Sequence, residues 1–227
     1  LSLVSFSGAG PAGKPPRETI ALTEWQFAED ASSTPGPPPA EARWKRVSVP
    51  HVFRQAGLPD NAAGWYRRTF VPTAGDRDRR IYLRLEGAAS VKDVYVNGTH
   101  MGRHRGPFSA AAFDLTPSLE MGRENTIDVR VTNRDDEVQD CFSRSTLYYV
   151  NGGMFRKALL VKTGAVHIFP DMGSTGVYLT AGNVTESSAG LDVRTVVRNA
   201  LASPVEATVR HSVTDPGGKP CLRLESR

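Results

Sequence analysis

The chain is 227 residues long, 39% hydrophobic and 23% charged, a balance that excludes an intrinsically disordered protein and can form one large β domain or two smaller ones. Its 28 Lys and Arg against 24 Asp and Glu give a formal charge of +4. The basic residues are scattered singly, without the stripe or aromatic interleaving of a nucleic-acid face. Two cysteines, Cys141 and Cys221, imply no disulfide framework, and no apolar run approaches the roughly 18 residues a membrane span requires.

Residues 1–17 are rich in Gly and Pro and carry no periodic pattern, so they are left out of the expected fold. Leu1-Ser2-Leu3-Val4-Ser5-Phe6 followed by small residues reads either as the tail of a signal-peptide apolar region or as a disordered leader; the first reading leans towards a periplasmic or secreted location. Residues 19–27 read as a first strand with Ile20, Leu22 and Trp25 facing inward. A loop follows over 30–42, where Gly36-Pro37-Pro38-Pro39 forbids helix and central strand. A short strand over 44–49 ends at Pro50-His51, and a polar loop over 54–64 leads into a β-prone strand at 65–71.

The densest signal lies between 79 and 100. Ile81, Leu83 and Leu85 alternate with Tyr82, Arg84 and Glu86, placing one apolar face against a core. Residues 87–90 break the strand, and Val94-Tyr95-Val96 then runs into Asn97-Gly98, a type I′ hairpin signal. A turn-rich connection is expected over 106–117. Residues 126–132 set Ile127, Val129 and Val131 against Asp128, Arg130 and Thr132, the pattern of a half-buried strand. A long polar and aromatic loop over 133–150 precedes a closing strand at 154–162, and loops of that length in a compact domain are usually functional or disordered. Past Pro170, strands at 177–180, 191–198 and 205–213 are spaced as in an immunoglobulin-type sandwich, but about three are visible where such a sandwich has about seven. Residues 219–227 continue no pattern. The expected organisation is therefore all-β: a leader over 1–17, a sandwich over 18–165 and an incomplete second sandwich over 171–227.

Chemistry is sparse. Glycoside hydrolysis needs two carboxylates about 5 Å apart for retention, or further for inversion. Asp135, Asp136, Glu137 and Asp140 cluster in the long loop, with Glu86, Asp93 and Asp114 elsewhere, yet nothing in the sequence desolvates one of a pair. No Gly-x-Ser-x-Gly elbow is present, and Cys141 has no nearby His. His100 and His104 read as a surface pair rather than a metal site, and no phosphate-cradling Gly-rich loop is found, so no catalytic residue, metal or cofactor is assigned. Asn97-Gly98-Thr99 and Asn183-Val184-Thr185 are glycosylation sequons, the first better explained by its turn. Trp25, Trp44 and Trp65 are expected in the β core rather than on a sugar-stacking platform.

Four ordered segments carry a family resemblance. They are Trp44-Lys45-Arg46-Val47-Ser48-Val49-Pro50-His51, Gly64-Trp65-Tyr66-Arg67-Arg68-Thr69-Phe70, the run from Leu85-Glu86-Gly87 through Val94-Tyr95-Val96-Asn97-Gly98 to Phe113-Asp114-Leu115-Thr116, and Asn151-Gly152-Gly153-Met154-Phe155-Arg156. In this order they resemble the N-terminal sugar-binding domain of glycoside hydrolase family 2, the β-galactosidase, β-glucuronidase and β-mannosidase family. His167-Ile168 and Gly176-Val177-Tyr178-Leu179 match the passage into that family's immunoglobulin-like domain. The resemblance implies a jelly-roll (galactose-binding-like) sandwich, then an immunoglobulin-like sandwich, then a (β/α)8 barrel carrying two catalytic glutamates. The chain has no Asn-Glu dipeptide, the family's acid/base signature, and no room for eight βα units, which take about 250 residues.

The resemblance thus implies the non-catalytic N-terminal portion of a retaining, β-galactosidase-like exo-glycosidase acting on O-glycosyl bonds, inactive alone. Its partners would be a β-glycoside bound through the barrel and the barrel itself, packed within the same molecule. A free-standing carbohydrate-binding, lectin-like module is the alternative, and a structural β domain a third. In the family an Asn from the loop before the Trp-Tyr strand and an Asp from the loop before the Gly-Gly strand approach the sugar. Here the loops offer Asp60 and Asn61, then Asp135, Asp136 and Asp140, from which Asn61 and Asp140 are chosen as substrate-binding residues. The first loop is shorter than the family's, and Lys157 replaces its usual acidic or small residue.

Overall fold

The structure is a computed structural model that describes residues 2–7, 17–32, 36–59, 61–138 and 151–226. In chain order the first strands are β1 (Ser2–Ser7), β2 (Arg17–Ala21), β3 (Glu24–Glu29), β4 (Lys45–Ser48), β5 (Ala63–Phe70), β6 (Arg79–Leu85), β7 (Val91–Val96), β8 (Thr99–Arg105) and β9 (Ala111–Asp114). They are followed by β10 (Asn125–Thr132), the one-turn helix α1 (Asp135–Val138), β11 (Ala158–Gly164), β12 (Val166–Ile168), β13 (Val177–Gly182), β14 (Gly190–Thr195), β15 (Val197–Asn199), β16 (Thr208–Thr214) and β17 (Pro220–Ser226). The fold is all-β, a jelly-roll sandwich followed by a partial immunoglobulin-like sandwich, and no described helix is long and apolar enough to cross a membrane.

Two compact units emerge, Thr19–Lys162 and Leu1–Glu18 with Thr163–Arg227. The larger unit is built from a six-stranded sheet in the order β4-β3-β5-β10-β7-β8 and a four-stranded sheet in the order β2-β11-β6-β9. Its core is sealed between their facing sides. Tyr66, Val94, Val96, Ile127, Val129 and Val131 come from the large sheet, and Ile81, Leu83, Leu85, Ala111, Phe113 and Leu160 from the small one. Each buried aliphatic contributes about 1.5–3 kcal/mol relative to exposure.

Several strands differ from the expectation drawn from pattern alone. The single strand over 19–27 is two, because the chain changes sheets at Leu22 and Thr23, where Leu22 N–H donates to Ala158 O and the Trp25 indole N–H donates to Leu22 O. The alternating segments of 79–100 also lie in opposite sheets: β6 is in the small one, and β7 turns through Asn97-Gly98 into β8. Both turn residues have positive φ, 50° and 80°, as a type I′ turn demands. The connection over 106–117 contains β9, whose Ala111 and Phe113 register against Leu85 and Leu83 of β6. In β10 the polar alternates Asp128, Arg130 and Thr132 are buried as well, so the strand is covered on both faces rather than half-buried. The closing strand starts at Ala158, four residues later than expected.

In the smaller unit the sheets are β1-β16-β17, β12-β15 and β13-β14. The 191–198 segment breaks at Val196, whose N–H and carbonyl leave the strand to bond Gly176 O and Phe169 N. Ser2–Ser7 and Pro220–Ser226, in stretches left without structure by the sequence reading, pair on either side of β16. Short strands with neither caps nor a clean period of two give little local signal; their backbone hydrogen bonds come from β16.

Leu83→Ala is expected to lower the unfolding free energy by about 2–5 kcal/mol in urea titrations, while Val71→Ala, at a site 50% exposed, changes it by less than about 0.5 kcal/mol.

Candidate functional site

Three of the motifs quoted above meet in space. β5 delivers the Tyr66 ring into the core, and its hydroxyl lies 2.8 Å from His51 Nδ1 and accepts the Met154 N–H at 3.3 Å. With that N–H on the phenolic oxygen, the hydroxyl proton is left for His51. Backbone bonds reinforce the contact: His51 N–H to Met154 O at 2.8 Å and Phe53 N–H to Gly152 O at 2.9 Å. Only glycine fits at Gly153, where φ is +114° and a Cβ would stand 2.6 Å from His51 O and 2.9 Å from the Tyr66 hydroxyl. Burial holds the His51 imidazole below its ordinary range and pushes the Tyr66 phenol up, so both are neutral near pH 7. This is a clamp at the base of the loops that follow.

The loop before β5 and the loop after β10 are laced together above it. Ala62 N–H donates to the Asn133 side-chain carbonyl at 3.0 Å, and Asn133 N–H donates to Ala62 O at 3.0 Å. Asp135 N–H donates to Asn61 Oδ1 at 3.0 Å, and Asn61 Nδ2 reaches Asp135 Oδ2 at 3.4 Å. Asn61 and Asp135 are exposed, whereas Asn133 is buried. Asp60, Asp140 and Cys141 lie outside the described residues, so of the two chosen substrate-binding residues the structure places Asn61, and places it against Asp135. Asn133, which sequence reasoning passed over, holds the backbone of Ala62, the residue next to Asn61; its only signal was its position at the end of a strong strand.

The same loop is tied down by Arg130, fully buried on β10. Its guanidinium donates through Nε to Asp30 Oδ2 at 2.6 Å, and through Nη1 and Nη2 to the Glu137 carboxylate at 2.5 and 2.9 Å. Thr132 Oγ1 donates to Glu137 at 3.1 Å, and Arg134 clasps the carbonyls of Asp30 and Ser32. Burial opposes ionisation of Glu137, but the Arg130 bonds outweigh it and hold the carboxyl below its ordinary range. Asp30 is held down likewise, its burial outweighed by bonds from Ser32 and Arg130. A general acid needs the reverse shift. Glu86 pairs with Arg84 at 2.8 Å, and Asp93 pairs with Arg103 at 2.8 Å and His100 at 2.9 Å. Among the described residues no three His, Cys, Asp or Glu side chains gather in a metal-binding group. Of the tryptophans only Trp25 joins the core cluster; Trp65 is buried on the other face of the six-stranded sheet beside Tyr95, and Trp44 is half-buried with the Arg67 guanidinium 4.5 Å from its ring centre.

The molecule thus presents a jelly-roll β-sandwich whose end loops form one hydrogen-bonded polar surface. The family model for the glycosyl hydrolases family 2 sugar binding domain matches residues 40–164, and the chain belongs to that family. It is 28% identical over 201 residues to a beta-glucuronidase of Formosa agariphila, matching 78% of this chain and 20% of that protein. It is 26% identical over 227 residues to a beta-galactosidase of Bacteroides ovatus, matching 93% of this chain and 25% of that one. The solved structure of a Bacteroides uniformis beta-glucuronidase superposes with a TM-score of 0.81 at 26% identity, covering 92% of this chain and 26% of that chain. The chain spans about a fifth to a quarter of the length of these relatives.

Arg130→Ala leaves Asp30 and Glu137 without their buried cation and is expected to cost about 3–5 kcal/mol in denaturant titrations. Stability should also fall in two steps on acidification. His51, held below the ordinary 6.5 of histidine, contributes fully above that value and loses its contribution as the pH falls below it. Asp30 and Glu137, held below 3.8 and 4.5, contribute fully above those values and lose it as the pH falls through their lowered ones. His51→Gln should shrink the first step in urea melts taken at successive pH values and leave the second.

Proposed function

We propose that this chain is the non-catalytic N-terminal portion of a retaining exo-glycosidase that cleaves β-glycosides. In this reading the jelly roll packs against a (β/α)8 barrel, and the laced loops contribute to the barrel's sugar pocket. The observation that carries it is the Asn61–Asp135 junction: two exposed polar side chains, fixed by backbone bonds, in the loops the family resemblance points to. Membership of the sugar-binding domain family and the small share of each relative that the chain covers support it. Relatives described as glucuronidases and galactosidases make a β-glucuronide or β-galactoside the substrate class.

The division of labour follows from the chemistry. Retention requires a nucleophilic carboxylate and a carboxylic acid with a raised pKa, facing across the glycosidic bond; in this reading both are barrel glutamates. This chain supplies orientation. Asn61 Nδ2 has two protons and makes one long bond, so its amide can donate to a hydroxyl of the terminal sugar; Asp140, outside the described residues, is the second residue that the family resemblance assigns to this sugar. Such contacts exclude a longer chain at the non-reducing end, which is what exo-cleavage needs.

The purified chain, assayed with p-nitrophenyl β-glucuronide and β-galactoside, is expected to give no turnover above background and to bind the free sugars at millimolar strength or weaker by calorimetry. Turnover would overturn the proposal, and tight binding without turnover would establish a free-standing binding module instead. In the glycosidase that carries this domain, Asn61→Ala should lower kcat/KM about tenfold through the lost hydrogen bond to the sugar, while the loss of its bonds to Asp135 lowers stability by only about 0.5–1.5 kcal/mol and leaves the protein folded in thermal melts.

A further inference from the structure

A groove of about 370 Å³ lies across β3, β4 and β5, lined by Glu24, Trp25, Gln26, Arg46, Arg67 and Arg68, with Thr69 at its end. The register explains its make-up. Gln26 stands opposite Arg46 on one side and Arg67 on the other, and Glu24 stands opposite Ser48. Side chains in such rows repeat at about 4.8 Å from strand to strand. The Arg67 fork is fixed before any ligand arrives: Asp128 takes its Nε and Nη2 at 2.7 and 2.9 Å, and Trp44 stacks on it. The remaining Nη protons extend the fork. Arg68, which also lines the groove, donates Nη1 to Glu24 O at 2.6 Å. Arg46 is exposed. Arg46, Arg67 and Arg68 therefore line the groove with Glu24, and Asp128 is bonded to Arg67, so three cations and two carboxylates leave a net positive charge of one (three minus two).

We infer that this groove is a second carbohydrate surface, separate from the Asn61–Asp135 loops, that takes an oligosaccharide bearing carboxylate or sulfate groups. Two features select that ligand. Planar guanidinium groups with fixed geometry bind flat or tetrahedral oxyanions through paired N–H donors, which a neutral sugar cannot answer. The amide of Gln26, the carboxylate of Glu24 and the hydroxyl of Thr69 add the mixed donors and acceptors that suit ring hydroxyls, over a length no single small anion fills. The volume falls within the ~300–1,000 Å³ of small-molecule sites. That the ligand is a sugar rests on the family reading above; the cationic lining does not.

The test is calorimetric titration of the 227-residue chain with tetragalacturonate, sulfated cellotetraose, plain cellotetraose and sodium sulfate, with the tryptophan indole N–H signals followed by NMR. At least one anionic tetrasaccharide should bind about tenfold or more tightly than cellotetraose and sulfate, moving the Trp44 signal and leaving that of Trp65 in place. Arg46→Glu should weaken that binding about tenfold or more with an unchanged thermal midpoint, and Glu24→Gln should tighten it. Equal binding of cellotetraose would overturn the anion requirement. Sulfate bound as tightly as the oligosaccharides would overturn the carbohydrate assignment, and no binding, or a shift at Trp65 alone, would overturn the site. Should Arg46→Glu fail to fold, the indole shifts in the unaltered chain decide. The glycoside turnover assay stands apart from all of these, so the groove and the glycosidase reading can fail independently.

Discussion

A guanidinium with no access to water is costly to fold around, and the larger unit has one at the centre of its central strand. Arg130 is enclosed on β10 between β5 and β7, where its charge would lose several kcal/mol of hydration without partners. Asp30, just past β3, and Glu137, on α1, supply them. A buried ion pair of this kind is weak evidence for net stability, because well-packed apolar residues often do as well. What it supplies is position. One cation determines where β3 ends and where the chain goes after β10, and Arg134, clasping the Asp30 and Ser32 carbonyls, closes the same ring from outside. The Asn61–Asp135 junction hangs from this ring, since Asp135 is two residues from Glu137.

The other support is the clamp of His51, Tyr66 and the two glycines. Both rings are held neutral by burial, so the hydrogen bond between them carries no charge and changes little across the physiological range. The outer face of the six-stranded sheet, by contrast, carries charge. There Arg67 with Asp128, and Arg103 with Asp93, repeat the arrangement of a buried carboxylate answered by a forked cation. The apolar side of the sheet fixes which sheets pack, and the polar side fixes where loops and grooves are.

That division explains what could be read from the sequence. The period of two in 81–85 and 127–131 identified the inner faces of β6 and β10, and Asn97-Gly98 identified its turn, because each signal is local and depends on one strand. β9, the break at Leu22 and Thr23, and the short strands of the smaller unit were not legible, because each is decided by a partner strand far along the chain. The polar alternates of β10 misled for a related reason: alternation says that two faces differ, and an ion pair can bury the polar one. Asn61 was legible only through family resemblance. Its link to Asp135 rather than to a more distant acid follows from the short helix α1 and from Arg130, neither of which has a sequence signature of its own.

β5 joins these features. Its first residues sit beside the Asn61 loop, its middle carries Tyr66 into the clamp, and its later half carries Arg67 and Arg68 to the groove. Asn61 and Arg67 are six positions apart, which at about 3.4 Å per residue of extended chain is at most about 20 Å. The strand is hydrogen-bonded along both edges, by β3 and by β10, so that spacing cannot stretch or slip without losing a ladder. A one-residue slip would also carry Tyr66 to the outer face and Arg67 into the core. The register that buries Tyr66 therefore also sets how far the polar loops lie from the cationic groove.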